Sequence, residues 1–355
     1  IDEWRKEMKE KAKKELEGDE KLEVWGQSPP VETTRQHFNG HASEGSLPVE
    51  EPPFIEDDGP WAPLKDNVDV VAMGSNKQVE VYRRQVQTNS VKKDVLTSAY
   101  LPQLVRQDVP FLDLAKNVPS WHKNVPEQLK NLSTKLAYWR GKSANIVYNT
   151  KTISEPPKDL GDIFSPRFDD KTIGIDTTPS PYIAYPLIAK YKDKVPPRLK
   201  EYGYDMTGGE FVEKLGEQDL KLFRNAWTMV KNTGTGNPDM AFGAPLTGLF
   251  AFDDAPLEPM KHPSGNFLRP QAVGLSADPP HPAAAKLFID YLLSNRGVQL
   301  AERGVLSVDY QESNPESMAD WIMADWQTSY AQLAIDMETK KVRSEWRERL
   351  GVPNV

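Results

Sequence analysis

Residues 68–98 read VDVVAMGSNKQVEVYRRQVQTNSVKKDVLTS, and this stretch decides the fold class. Val68–Met73 and Asp94–Ser98 are short runs rich in apolar and β-branched residues, and each run predicts a strand. Between the two runs, apolar side chains recur at the spacing of one helix face, at Val79, Tyr82 and Val86. A strand, a helix and a second strand in succession predict an α/β fold.

The helix in this stretch carries its own start signal. Ser75 is a favoured N-cap residue, and Gln78 stands three residues later, as in a capping box. A similar signal, Ser180 followed by Pro181, predicts a second helix start after a strand at Thr172–Asp176. Strand-to-helix transitions therefore recur along the chain.

The same alternation continues on both sides of this stretch. Further strands are predicted at Leu22–Trp25, Ala144–Tyr148, Thr172–Asp176, Asp239–Phe242 and Gln271–Leu275. Further helices are predicted at residues 2–17, at Phe211–Met229, from Pro282 onward and through the C-terminal third. The first of these helices is rich in Lys and Glu, so it is interpreted as a solvated extension or, alternatively, as a partner-binding helix. Residues 39–67, rich in Gly, Pro and acidic residues, predict a long loop.

Composition excludes several classes of protein. The net charge of −8 argues against a nucleic-acid partner, because nucleic-acid-binding proteins concentrate Lys and Arg. No apolar run approaches the roughly 20 residues needed to cross a bilayer, so we do not expect a membrane-embedded protein. The chain begins with Ile1 rather than Met, as expected after removal of a signal peptide or another trimming.

The sequence also lacks the groups on which catalysis usually depends. Without cysteine there is no thiolate nucleophile, Cys-ligated zinc or iron–sulfur cluster, and this composition is typical of an oxidising compartment. Among five scattered histidines, only His37 and His41 have helical ligand spacing, with no third ligand nearby. Gly234–Gly236 does not match a phosphate loop, and no nucleophile elbow occurs. We therefore predict no enzymatic activity, no cofactor and no metal site.

Small polar residues follow several of the predicted strands. They are Ser28, Ser75, Asn76, Thr97, Ser98, Thr177, Thr178 and Ser180. In open α/β sheets, ligands bind beyond the carboxyl ends of the strands, and helix N-termini there suit an anionic oxygen. Any one of these residues could serve only as a helix cap. Their recurrence nevertheless predicts a ligand-binding cleft, to which Tyr148, Tyr182 and Trp227 would add apolar walls.

Several segments resemble, in the same order, motifs of the family 1 extracellular solute-binding proteins of ABC importers. His281–Ser294, which reads HPAAAKLFIDYLLS, and the following Arg296–Gly304 are similar to the late helix pair of that family. Further segments similar to family motifs are Met73–Gln78, Val91–Leu96, Ile146–Lys151 and Gly236–Gly243. The resemblance covers about residues 20–310 and is nearest to the iron- and thiamine-binding subgroup.

The resemblance implies a type II periplasmic-binding-protein fold, with two α/β lobes joined by crossover strands around an interlobe cleft. It implies the following domains: an N-terminal helical extension (1–19), lobe 1 (20–145 and 265–310), lobe 2 (146–264) and C-terminal helices packing across the lobes (311–355). It further implies a monomer in the periplasm or outside the cell, with or without a lipid anchor. Such a receptor captures a small solute by hinge closure and delivers it to the membrane permease of an ABC importer.

The nature of the solute stays open at this point. Hydroxyl-rich strand ends suit a small polar or anionic solute. Ferric iron or an iron chelate is the alternative, because Tyr182 and Tyr185 are three residues apart and phenolate oxygens suit a hard cation. However, the adjacent tyrosines that ferric members carry after the segment corresponding to Ala241–Leu246 are missing. A sensory binding protein of the same fold is a further interpretation.

Overall fold

The structure is a computed structural model that describes residues 1–26, 38, 55–73, 75–98, 101–125, 130, 133–177, 187–188, 191–245, 249, 252, 254–260, 267–294 and 339–352. We number its strands and helices in chain order. The strands are β1 (Leu22–Gly26), β2 (Val68–Ala72), β3 (Val95–Ser98), β4 (Ala137–Asn149), β5 (Ile173–Asp176), β6 (Leu220–Phe223), β7 (Met240–Pro245), β8 (Leu257–Pro259) and β9 (Phe267–Leu275). The α-helices are α1 (Asp2–Glu15), α2 (Ser75–Gln87), α3 (Leu101–Arg106), α4 (Leu114–Asn117), α5 (Ser120–Asn124), α6 (Pro197–Glu201), α7 (Gly208–Gly216), α8 (Ala226–Gly234), α9 (Pro282–Leu292) and α10 (Thr339–Arg349).

The chain divides into two compact units. Unit 1 contains Ile1–Gly141 and the segment that starts at Pro270 and includes α9. Unit 2 contains Lys142–Arg269 and the C-terminal helix α10. Strands β4 and β9 each begin in one unit and end in the other, so both are crossover strands.

The sheet of unit 1 has the strand order β2–β1–β3–β9. Strand β1 runs parallel to β2 and β3, whereas β9 runs antiparallel to β3. In β2, Val68 and Val70 are buried and Asp69 between them is exposed, as expected for a strand with one face on a core. Because β1, β2 and β3 are parallel, their carboxyl ends lie at the same edge of the sheet.

Helix α9 supplies much of the apolar core of unit 1. It begins at Pro282, as predicted, and nearly all of its side chains are buried. The first N–H groups of a helix have no partner within it. Here those of Ala283 and Ala284 donate to the carboxylate of Glu15 at 2.9–3.1 Å. A carboxylate at this position also suits the positive end of the helix dipole.

Helix α1 is confirmed, but it is not a solvated extension. It packs on α9 within unit 1, and Met8, Ala12 and Leu16 are buried in that contact. Its Lys and Glu residues occupy the remaining, solvent-facing side, where Lys11 forms an ion pair with Glu7. The four-residue spacing of apolar side chains therefore identifies the face that contacts α9.

The fully buried carboxylate of Asp290, in α9, connects three segments of unit 1. Arg5 of α1 donates to it through Nε at 2.8 Å and through Nη2 at 3.3 Å. Trp61 donates to it through Nε1 at 2.9 Å, and the Arg5 guanidinium lies over the Trp61 ring. The described end of the predicted loop, residues 55–67, is thus bonded to unit 1, while residues 39–54 lie outside the described chain.

The sheet of unit 2 has the order β4–β7–β5–β6, with β8 on β4. Strand β5 runs parallel to β6 and β7, and β7 runs antiparallel to β4. One core cluster of this unit consists of Val147, Phe223, Met229, Val230, Ala241 and Ala244. Since β5 and β6 are parallel, their carboxyl ends also lie side by side.

A single helix over Phe211–Met229 was the sequence prediction, and this is wrong. Helix α7 ends at Gly216, strand β6 pairs with β5, and α8 begins after Asn225. The Asn225 side chain accepts the N–H groups of Trp227 and Thr228 as an N-cap. Pairing with the edge of β5 is a long-range contact, so local periodicity does not reveal it.

The other predictions of secondary structure have mixed outcomes. The predicted strands at β1, β2, β3, β5, β7 and β9 are confirmed, and β4 begins earlier than predicted, at Ala137. The helix predicted to start at Ser180 lies outside the described residues, as does most of the C-terminal third apart from α10. Within the described part of the chain, no helix is long and apolar enough to cross a membrane.

Candidate ligand-binding site

In unit 1, the predicted residues of β3 lie at the carboxyl edge of the sheet. The Thr97 hydroxyl donates to the carbonyl oxygen of Trp25 in β1 at 2.9 Å. Thr97 and Ser98 are both buried. A hydroxyl that donates one hydrogen bond still has lone pairs that can accept others. The Thr97 hydroxyl therefore connects neighbouring strand ends and keeps acceptor capacity at this edge.

Helix α2 starts at the same edge, directly after β2. Its first residues are Ser75 and Asn76, as predicted. Gln78 is fully buried, and its Nε2 donates to the carbonyl oxygen of Met73 at 2.7 Å. The side chain thus bonds back to the end of β2 instead of accepting an N–H group as in a capping box. Its Oε1 has no hydrogen-bond partner among the described residues.

In unit 2, Thr177 connects the ends of three elements. Its N–H and its hydroxyl both donate to the carbonyl oxygen of Phe223, at 2.8 and 3.0 Å, so Thr177 is bonded to the end of β6. The carbonyl oxygen of Thr177 accepts from Nη2 of Arg347 in α10 at 2.8 Å. Arg347 is absent from the predicted site residues. It lies 170 positions from Thr177 in the sequence, so no local pattern indicates that the two residues are in contact.

Helix α10 is held on unit 2 by buried and charged contacts. Trp346 and Leu350 are buried. Arg349 pairs with Glu213 of α7, and Glu345 pairs with Lys192 at 2.7 Å. Burial acts to raise the pKa of Glu345, but the cations of Lys192 and Arg349 outweigh it and hold that pKa below its usual value. These contacts fix the helix that carries Arg347.

Of the three aromatic side chains predicted in unit 2, the two that the structure describes, Tyr148 and Trp227, differ in accessibility. Tyr148 of β4 is buried, and its hydroxyl donates to Oε2 of Glu258 on β8 at 2.9 Å. Burial, together with the neighbouring Glu258 carboxylate, raises the pKa of Tyr148 to about 12. Trp227 is partly exposed in the first turn of α8, with its ring 6.3 Å from that of Phe252. Trp227 is therefore the more accessible of the two side chains.

Four of the predicted residues, Ser28, Thr178, Ser180 and Tyr182, lie outside the described residues, as does Tyr185. The structure brings together Thr97, Ser98 and the start of α2 in unit 1, and Thr177 with the start of α8 in unit 2. Where the structure describes the chain, no group of three His, Asp or Glu side chains could hold a metal ion.

A second polar cluster lies at the opposite edge of the unit 1 sheet, at the amino end of β3. The buried Asp94 carboxylate accepts the N–H groups of Glu23 and His281, at 3.0 and 2.7 Å, and lies 3.0 Å from Nδ1 of His281. Nε2 of His281 is 3.3 Å from Glu20. Burial acts to lower the pKa of His281, but the two carboxylates outweigh it, and the pKa is raised above 6.5. We assign this cluster to the stability of unit 1.

Solved structures that are similar to this chain share its architecture. An ABC transporter substrate-binding protein from Bradyrhizobium japonicum superposes with a TM-score of 0.64 at 14% identity, covering 92% of this chain and 99% of that chain. Iron-bound HitA from Pseudomonas aeruginosa gives 0.60 at 14% identity, with coverage of 92% and 99%. The periplasmic binding protein AfuA from Actinobacillus pleuropneumoniae, with fructose-6-phosphate bound, gives 0.59 at 13% identity, with coverage of 95% and 100%.

The fold is therefore that of the two-lobed type II periplasmic binding proteins. The family model for bacterial extracellular solute-binding proteins matches residues 80–328, well over half of the chain, and the chain belongs to that family. It is a solute-binding component of an ABC transporter, a class that binds small ligands and works with a permease. Membership implies a periplasmic or extracellular location. Comparison with curated protein sequences gives no match.

Proposed function

We propose that this protein captures a small polar or anionic solute for an ABC importer without performing chemistry on it. One observation carries the proposal: within a chain of the solute-binding family, threonine hydroxyls lie at the carboxyl edge of parallel strands in both units. This edge is where open α/β sheets bind ligands. The ligands of the similar structures differ from one another, so the compounds to test cover several chemical classes.

The hydrogen bonds of the two threonines favour binding over catalysis. A hydroxyl that acts as a nucleophile must give its proton to a neighbouring base. The hydroxyls of Thr97 and Thr177 instead donate to the backbone carbonyls of Trp25 and Phe223, which are not bases. Each hydroxyl has given its one proton to a carbonyl and can still accept a hydrogen bond from a donor group of a polar ligand. We propose that the protein is not an enzyme.

We further propose that Thr97, Ser98, Ser75 and Asn76 contribute to the binding surface of unit 1, and that Thr177 and Trp227 contribute to that of unit 2. Ser28, Thr178, Ser180 and Tyr182 stay predictions from the sequence. Tyr148 is proposed in a supporting role, because its hydroxyl is already bonded to Glu258. Hinge closure on the solute also stays a prediction, and a fall in the radius of gyration on ligand addition would support it.

The partners follow from the same proposal. We expect a monomer that meets a membrane permease and does not bind nucleic acid, in keeping with its net charge of −8. Analytical ultracentrifugation of the purified chain tests the monomer. Retention on heparin or DNA at low salt would contradict the absence of a nucleic-acid partner.

A thermal-shift screen tests the function directly. The panel comprises sugar phosphates, phosphonates, thiamine, spermidine, neutral sugars and iron chelates. A true ligand at 100 times its Kd should add about 2.7 kcal/mol of apparent stability. The variants Thr97→Val and Thr177→Val should weaken that ligand's binding. Thr233→Val is the matched control, because Thr233 is also buried with its hydroxyl bonded to a backbone carbonyl, that of Met229, but within a helix.

The screen separates a solute-binding protein from the alternatives. If no compound of the panel shifts the unfolding temperature, the proposed capture of a small polar or anionic solute is contradicted. If a compound binds but is converted to product during isothermal titration, the absence of chemistry is contradicted. If Thr97→Val and Thr177→Val retain affinity to within about twofold, like Thr233→Val, the residue assignment is wrong although the function stands.

A further inference from the structure

We propose that His281 is a pH-sensitive latch in unit 1, whose protonated ring bonds the α1–β1 connection (residues 16–21) to the start of α9. When the ring loses a proton, its bond to Asp94 stays and its bond to Glu20 opens. Residues 17–20 are then released while unit 1 stays folded. The latch lies at the amino edge of the sheet, away from the carboxyl edge at which the solute is proposed to bind. Family membership implies a periplasmic or extracellular location, so the latch meets the pH outside the cytoplasm.

The ring of His281 lies between two carboxylates that belong to different segments. Its Nδ1 is 3.0 Å from Oδ2 of Asp94, the residue before β3, and its Nε2 is 3.3 Å from Oε2 of Glu20 in the α1–β1 connection. The backbone N–H of His281, the N-cap residue of α9, also donates to Oδ1 of Asp94 at 2.7 Å. Only a protonated imidazole has N–H donors on both ring nitrogens, so only the cation can donate to both carboxylates.

The two carboxylates differ in their access to water. The Asp94 side chain is 1% exposed, whereas the Glu20 side chain is 68% exposed. A buried carboxylate that loses a donor costs more than an exposed one, because water can solvate the exposed one. Burial raises the pKa of Asp94, and the hydrogen bonds from His281 act against this by stabilising its charged form. The neutral ring should therefore keep its one proton on Nδ1, facing Asp94, and turn a lone pair towards Glu20.

The other ionisable groups around His281 have partners of their own or lie further along the chain. The carboxylate of Glu15, the last residue of α1, accepts N–H groups at the start of α9. Glu23 of β1 pairs with Lys93. Burial acts to lower the pKa of His281, but Asp94 and Glu20 raise it above 6.5, so the latch opens on the alkaline side of that value. The nearest ionisable residues in sequence are Asp278 and Lys286.

The release is confined to the middle of the connection, because both of its ends have contacts that do not depend on His281. At the α1 end, Leu16 is buried. At the β1 end, Nζ of Lys21 donates to the carbonyl oxygen of Asp66 at 2.6 Å. Residues 17–20 between these two ends are exposed. An exposed segment with few buried contacts opens locally at little cost, so α1 can stay packed on α9 when the latch opens.

Heteronuclear NMR spectroscopy of the full chain tests the latch. Titration of the His281 ring from about pH 5 to about pH 10 gives its pKa, and the chemical shifts of the two ring nitrogens identify the neutral tautomer. The backbone heteronuclear NOE of residues 17–20 reports their ps–ns mobility. The variants are Glu20→Ala and Asp94→Asn, with Glu17→Ala as the matched control. Glu17 is an exposed glutamate of the same connection and makes no hydrogen bond or ion pair within the described part of the chain.

In the wild type, we expect the neutral ring to carry its proton on Nδ1 and the NOE of residues 17–20 to fall as His281 loses its charge. Glu20→Ala should lower the pKa of His281 by about 0.2 to 0.7, as expected for the loss of an exposed ion pair, and should give a low NOE throughout the titration. Asp94→Asn should lower that pKa by about 1 or more, because the lost charge is buried. Glu17→Ala should titrate like the wild type, to within about 0.2.

A neutral ring with its proton on Nε2 would overturn the latch, because His281 would then keep Glu20 and release Asp94. An NOE of residues 17–20 that does not change during the titration would also overturn it, as would a wild-type pKa of His281 in Glu20→Ala. Circular dichroism checks that each variant is folded. If Asp94→Asn fails to fold, the tautomer of the wild type and the titration of Glu20→Ala still decide the question, because Glu20 is exposed.

Discussion

Replacement of Asp290 by alanine should destabilise unit 1 strongly. The carboxylate is fully buried and accepts two hydrogen bonds from Arg5, at 2.8 and 3.3 Å, and one from Trp61 at 2.9 Å. Removing it leaves the indole N–H without this acceptor, and it leaves the guanidinium, only 21% exposed, with the exposed Asp2 carboxylate 3.7 Å from its Nη1. Breaking a buried ion pair from one side costs about 3–5 kcal/mol, so we expect Asp290→Ala to lower the free energy of unfolding by that amount.

The magnitude can be separated from general damage to the core by a double-mutant cycle. Arg5→Ala leaves the buried carboxylate with the Trp61 indole as its one hydrogen-bond donor among the described residues and should cost about 3 kcal/mol. Once one partner is gone, removing the other costs less, so the double variant should show a coupling of about 1–3 kcal/mol. The control cycle uses Glu80 and Arg84, an exposed ion pair on α2. The coupling energy of this pair should be below about 0.5 kcal/mol.

The assay is urea unfolding followed by circular dichroism, with hydrogen exchange to locate the effect. The loss of protection should concentrate in peptides from α1, α9 and residues 55–64, which the Asp290 contacts join. Additive costs for Arg5→Ala and Asp290→Ala, within about 0.5 kcal/mol, would refute the reasoning. Hydrogen-exchange protection factors in α1 that do not change in Asp290→Ala would also refute it.

Three further changes test other parts of the structure. Gly208→Ala should destabilise unit 2 by more than about 2 kcal/mol in urea unfolding, because an added Cβ would clash with the carbonyl oxygen of Leu187, which a side-chain rotation cannot relieve. The raised pKa of His281 means that its stabilising contribution is complete below 6.5 and is lost as the pH rises through the folded-state value. His281→Gln should therefore lower the unfolding temperature more at about pH 6 than at about pH 9, and an equal loss at both would contradict the ion pair with Asp94. Thr177→Val should cost about 1 kcal/mol of stability through the lost hydroxyl bond, and a cost near zero would mean that this bond contributes nothing net.

Local sequence pattern was sufficient for much of the fold. The runs at Val68–Met73 and Asp94–Ser98 predicted β2 and β3, and Pro282 marked the start of α9. These signals depend on side chains a few positions apart, because strand alternation and helical spacing are short-range properties. The ordered motifs also indicated the family, and the match over residues 80–328 confirms it.

Apart from the bond of Gln78 to Met73, the main errors and omissions involve contacts between distant parts of the chain. β6 forms because the edge of β5 accepts it, although the apolar spacing of the same segment also suits a helix. The sequence of helix α1 is typical of a charged extension, and only the packing of its apolar face on α9 shows that it belongs to the core of unit 1. The hydroxyls of Thr97 and Thr177 were found from their strand ends, but nothing near Thr177 in the sequence indicates that a guanidinium reaches it.

The stretch at residues 68–98 contains enough local information to define an α/β fold, because each of its elements is encoded by neighbours within one or two turns. Which elements pack together was decided only by the tertiary structure. Arg5 meets Asp290 across 285 positions, and Arg347 meets Thr177 across 170. Such pairs form when the apolar faces of their helices and strands are buried together, and the free energy of that burial belongs to the whole unit rather than to any one segment.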